Sequence, residues 1–67
     1  MEFVYVFLFG GEWEDVVIFL SKEDAIKRSI EYPKNRVEIF SKANTGGYIP
    51  TYNYYKNGTL IQNTNIS

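Results

Sequence analysis

The order of local signals in this chain predicts an α+β domain, β-β-α-β-β with a small final strand, built as a small antiparallel sheet with one helix on one face. Three observations carry that expectation. Residues 3–9, FVYVFLF, and residues 16–20, VVIFL, are apolar at every position and flank the polar turn GGEWED. A capped, amphipathic stretch, SKEDAIKRSIEYP, follows directly. An Asn57-Gly58 pair then divides the tyrosine-rich C-terminal part.

Residues 3–9 are β-branched or aromatic apart from one leucine and stop at a Gly-Gly pair, which reads as a strand. Alternation places Phe3, Tyr5, Phe7 and Phe9 on one face and Val4, Val6 and Leu8 on the other. The loop at 10–15 is short, so the strand at 16–20 should return antiparallel to the first. Ser21 suits an N-cap, and Asp24, three residues on, suits the other half of a capping box. Glu23 and Asp24 fall in the positive first turn, with Lys27 and Arg28 toward the end. Ile26 and Ile30, flanked by Ala25 and Ser29, predict one narrow apolar stripe. Pro33 stops the helix, because the residue before a proline is pushed out of the α region.

Residues 36–41 alternate, with Val37 and Ile39 inward and Arg36, Glu38 and Phe40 outward. After the turn KANTGG, the stretch GYIPTYNYYKNGTLI reads as extended and closes in a hairpin at Asn57-Gly58, a strong type I′ signal. Pro50 has no N–H to give a ladder, so its strand is at an edge or bulged there. A right-handed crossover through the helix would bring the third strand beside the first, giving the order 2-1-3-4. The domain should span residues 1–61, with 62–67 a polar tail.

Composition excludes more than it selects. The chain has 67 residues with no cysteine and no histidine, which removes disulfides, thiolate metal sites, and Cys or His nucleophiles and bases. Aromatic residues make up 18% of it, and their burial replaces covalent staples, each ring covering roughly 150–250 Å². The absence of cysteine fits a reducing, intracellular compartment. Net charge is −1, which argues against general nucleic-acid binding. Residues 1–38 carry eight acids and five bases, whereas residues 39–67 carry only Lys42 and Lys56. The apolar run at 3–9 lacks a preceding basic residue and is far short of the ~20 residues of a membrane helix, so neither a classical secretion signal nor a membrane anchor is expected. The N-x-S/T triplets at Asn57 and Asn65 read as chance matches.

Three constellations bear on function. GGEWED sets Glu12, Glu14 and Asp15 around Trp13, either a solvated turn whose tryptophan folds back over the sheet or a contact site anchored by that ring. Nothing near it supplies a third metal ligand or an apolar pocket for acid–base work. YIPTYNYY carries Tyr48, Tyr52, Tyr54 and Tyr55, which read as plain strand residues, as a protein-contact surface, or as a stacking platform for single-stranded nucleic acid. Such platforms lie in a positive groove, and only Arg36, Lys42 and Lys56 are near. The third constellation is the doubled apolarity of the first two strands. A single helix covers one face, and leaving the other wet forfeits roughly 1.5–3 kcal/mol per large side chain.

The run EWEDVVIFLSKEDAIKRSIEYP, residues 12–33, resembles a theme in small α+β proteins of viruses, phages and bacteria, in which a strand ends in Ser-x-Glu-(Glu/Asp)-Ala and leads into the helix. The Asn/Tyr-rich, Ile/Lys-using composition is also what an AT-rich viral genome encodes. That resemblance implies no catalytic or ligand-binding residue.

The expectation is therefore a non-enzymatic interaction or assembly module that buries its second sheet face against a partner protein or its own copy. A narrower version is a small structural component of a virus particle, and a reading from another class is a nucleic-acid or effector-type binder using the tyrosine strand. Candidate interaction residues are Phe3, Tyr5, Phe7, Phe9, Trp13, Tyr48, Tyr52, Tyr54 and Tyr55, the aromatic row being the better interface. No catalytic, cofactor or metal site is expected, nor a small-molecule substrate.

Overall fold

A computed structural model describes residues 2–10 and 12–62. The elements run β1 (Phe3–Leu8), a 3₁₀ turn (Trp13–Asp15), β2 (Val16–Phe19), α1 (Lys22–Glu31), β3 (Arg36–Lys42), β4 (Tyr48–Lys56) and β5 (Thr59–Ile61). They form a five-stranded antiparallel sheet of order β2-β1-β3-β4-β5 with α1 across one face. The expected class and order hold, and the last strand simply continues the sheet. Residues 63–67, most of the expected polar tail, and the triplet at Asn65 lie outside the described residues.

The helix begins as its capping chemistry dictates. Ser21 has extended backbone, and its hydroxyl oxygen accepts from the Asp24 N–H at 3.4 Å. The carboxylate that answers Ser21 is Glu23, not Asp24, accepting a hydrogen bond from the Ser21 hydroxyl at 3.0 Å. The Glu23 carboxyl is held below its ordinary pKa, first by its own backbone N–H and then by that hydroxyl. Ser21→Ala should cost about 1 kcal/mol. Thermal melts that coincide with those of the unaltered chain would show that the cap contributes nothing.

The buried stripe of α1 differs from the expected one. Ala25 and Ser29 are its fully buried residues, Ile26 is half-buried, and Ile30 stands 54% exposed. Small side chains win the centre because the sheet beneath presents rings. Phe7 and Val37 are wholly buried there, with Tyr5, Ile39 and Tyr55 nearly so. Alternating small against large across facing layers fills the space without voids. Arg28 extends over this layer, its guanidinium 5.2–5.5 Å from the rings of Phe19, Phe7 and Tyr32 and its Nε 3.2 Å from the Glu31 carboxylate.

The far end of α1 is tied to the β4–β5 hairpin. Asn57 and Gly58 both have positive φ, 51° and 79°, as a type I′ turn requires. The Gly58 N–H donates to Ser29 Oγ at 2.9 Å, while the Ser29 hydroxyl donates to the Ile26 carbonyl at 2.7 Å. A Cβ at Gly58 would lie 3.0 Å from Ile30 Cγ1, so the turn sits close against the helix.

Between Pro50 and Tyr54 the β3–β4 register slips, leaving residues 51–53 opposite Ile39. Thr51 donates its hydroxyl to the Ile39 carbonyl at 2.8 Å and accepts from the Asn53 N–H at 3.1 Å. Tyr52, at φ 68°, forms the outer point of this bulge. Pro50 pairs opposite Phe40 in a stretch of β4 that β5 does not reach, so its missing N–H costs the sheet nothing.

Candidate interaction face

The two rows of β1 have opposite fates, and the assignment reverses the expectation that the aromatic row is the interface. Phe7 is fully buried, with Tyr5 8% and Tyr55 7% exposed, all in one cluster under α1 with Val37, Ile39 and Ala25. These three aromatics are therefore core residues and not contact residues. The cause is size, because only rings reach up to a helix whose stripe is Ala and Ser. Burial, and then the neighbouring Tyr55, raises the pKa of the Tyr5 phenol above its ordinary value.

Phe9, 51% exposed, extends the same cluster at its margin, its ring 6.3 Å from Phe7 and 5.2 Å from Tyr32. Phe3 lies at the other end of the helix side, on a shallow concavity shared with Lys22, Asn53 and Leu60. Neither belongs to the open face.

That open face is aliphatic over β1 and β2, and on β3 it carries Phe40 and the ion-paired Glu38 and Arg36. Cross-strand pairing sets Val6 opposite Ile18, Leu8 opposite Val16 and Val4 opposite Phe40, so all six side chains point away from α1. Trp13 and Tyr48 complete a concavity of about 430 Å³ over Val4, Val6, Val16, Ile18 and Phe40, with no polar atom on its surface. Trp13 remains 69% exposed and Ile18 56%. Val6, in the middle of the sheet, is only 8% exposed because neighbouring strands flank it on both sides. The tryptophan does turn over the sheet, yet it covers little of it. The acids Glu12, Glu14 and Asp15 stay exposed around it.

The tyrosines do not form one platform. Tyr55 is under the helix and Tyr52 is 64% exposed on the bulge. Tyr54 lies on the open face beneath the Arg36 guanidinium, 4.5 Å from its ring centroid. Tyr48 borders the aliphatic concavity. Arg36 is further engaged by Glu38 at 2.6 Å, so the cation nearest these rings already has its anion. Stacked bases need successive rings on one surface beside free positive charge. Successive rings on one surface are not supplied here, although Lys42 lies opposite Tyr48 and Lys56 opposite Arg36.

Val4, Val6, Val16, Ile18 and Phe40 are thus the residues missing from the sequence-based list. Alternation along β1 and β3 already marked Val4, Val6 and Phe40 as sharing faces. What it did not contain was which face the helix takes. The Ala25/Ser29 pair on α1 was the available signal, since small residues on a helix call for large ones below.

Among the described residues no three of His, Cys, Asp and Glu come together as a metal site, and no helix is long and apolar enough to cross a membrane. No family model, no curated protein and no solved structure matches this chain.

Proposed function

We propose that this chain is a non-enzymatic assembly module that buries its open sheet face against a second copy of itself. The observation that carries this reading is the concavity over Val4, Val6, Val16, Ile18 and Phe40, which has no polar atom on its surface. Contiguous apolar surface of this kind marks a site of association. A second copy suits it because the concavity itself carries no charge to select a charged partner, and Glu38, opposite Val6 on β3, is paired with Arg36 beside it. Two such faces stack as in a β-sandwich, about 10 Å apart. Five strands at ~4.8 Å spacing and ~20 Å length offer roughly 480 Å² per copy, so about 960 Å² in total, close to the ~1,000 Å² that a specific interface needs and below the usual range of stable ones.

Phe40→Glu tests this directly, because Phe40 is on the open face and outside the cluster under α1. The unaltered chain should associate with rising concentration in sedimentation. The variant should keep its far-ultraviolet circular dichroism while association through the open face weakens by at least about 100-fold, the cost of desolvating a carboxylate without a partner. Equal association of the two chains, or an unaltered chain that remains monomeric at about 1 mM, would overturn the reading.

A further inference from the structure

The two margins of the sheet are built differently. On the β4–β5 side the margin carries a proline at Pro50, a bulge at residues 51–53 and a final strand of only three residues. Short strands, prolines and bulges are the devices by which proteins keep a sheet edge from pairing with another chain. The β2 margin has neither proline nor bulge, although β2 is itself only four residues long. Residues 16–20 are VVIFL, with no charge, proline or glycine. Pairing with β1 uses one side of β2, and among the described residues no strand lies on the other. Val17, Ile18 and Leu20 are 36%, 56% and 58% exposed within this one short run. The helix reaches it at Phe19, over whose ring the Arg28 guanidinium lies at 5.2 Å, while α1 itself lies over the cluster of Tyr5, Phe7, Val37, Ile39 and Tyr55 toward the interior of the sheet.

We infer that β2 is a second self-association site, at which the β2 strands of two copies pair antiparallel about a two-fold axis through Ile18 and join two sheets into one of ten strands. The register follows from face and charge. A two-fold axis normal to the sheet keeps helix face with helix face, so opposed residues must share a side of the pleat. Centring on Ile18 opposes Ile18 to Ile18, Val17 to Phe19 and Val16 to Leu20, all apolar. It also brings the acidic turn at Glu14 alongside Lys22 of the second copy. Centring on Val17 instead would set Asp15 against Phe19, a carboxylate against a ring. The helix flank beside Phe19 carries Asp24, Lys27, Arg28 and Glu31, two acids and two bases, so a neighbour brought alongside meets no net repulsion. This interface uses backbone groups at the margin, whereas the stacked interface uses side chains of the open face, and the two are independent.

Amide exchange resolved by residue, on the full chain from about 10 μM to 1 mM, reads the edge directly. Alternate N–H groups within residues 16–20, those directed away from β1, should slow at least about tenfold as concentration rises. Val17→Lys places on β2 the side chain that edges commonly use against pairing, and on the helix side of the sheet, away from the stacked face. It should abolish the concentration-dependent protection and weaken edge association at least about tenfold, while Phe40→Glu should retain both. A charge exchange, Glu14→Lys with Lys22→Glu, should restore association that Glu14→Lys alone weakens. Exchange in β2 that is the same at all concentrations, association unaffected by Val17→Lys, or loss of β2 protection in Phe40→Glu would each overturn the proposal. The first two leave stacking of the open faces standing.

Discussion

Phe7→Ala should lose about 3–5 kcal/mol of stability, the cost of deleting a ring from a packed core. A chain of this size holds only about 3–10 kcal/mol at roughly 0.05–0.15 kcal/mol per residue, so the variant should be largely unfolded at 25 °C. Phe7 is wholly buried, and the ring of Tyr32 lies 5.4 Å and the Arg28 guanidinium 5.3 Å from its own. Removing it leaves a cavity under a helix whose fully buried residues are Ala25 and Ser29, too small to fill it. Phe9→Ala is the matched control, because that ring is half exposed at the margin of the same cluster. It should cost no more than about 1 kcal/mol. Urea unfolding of both variants checks the pair. Similar losses for Phe7 and Phe9 would mean that the aromatic row is not divided between core and margin as described.

Ser29→Ala should cost about 1–2 kcal/mol although it exchanges one small residue for a better helix former. The helix gains a few tenths of a kcal/mol from alanine. Against that, the Gly58 N–H loses the acceptor it holds at 2.9 Å, in a turn packed on the helix. A donor left without a partner in such a place costs about 1–3 kcal/mol. The loss should be localised, with the Gly58 amide exchanging faster while the amides of β1 keep their order of protection. An unchanged melting temperature and an unchanged Gly58 amide would show that the Asn57-Gly58 hairpin stands without the helix.

These two residues also show what was legible before the fold was known. The hairpin itself could be read, because Asn-Gly selects positive φ from its own two residues. Its attachment to Ser29 could not. A buried serine near the end of a helix has no local signature, and its acceptor role depends on a turn 29 residues away. The candidate site was legible in the same partial way. Both apolar rows of β1 and the outward direction of Phe40 followed from alternation. The sequence-based choice between the rows went to the aromatic one on the general enrichment of Tyr and Trp at interfaces. That enrichment holds across many surfaces and contains nothing about which side one helix covers.

By itself the sequence determined most features that short-range chemistry controls, although the carboxylate at the Ser21 cap is Glu23 and not the expected Asp24. The ends of β1 and α1, the Ser21 cap, the type I′ turn and the irregularity near Pro50 each arise from groups within a few residues of one another. A sheet of β2-β1-β3-β4 order followed from those elements and from the one-handedness of crossovers. Only the tertiary structure decided the helix's buried stripe, the fate of the two faces and the exposure of β2's outer edge. The stripe expected at Ile26 and Ile30 moved to Ala25 and Ser29 because the closest approach of helix to sheet is set by both layers at once. With rings below, the smallest side chains above pack best, and the aliphatic row is turned to the outside. Periodicity marks that a strand has two apolar faces. The volume of what lies across from each face decides which one stays open.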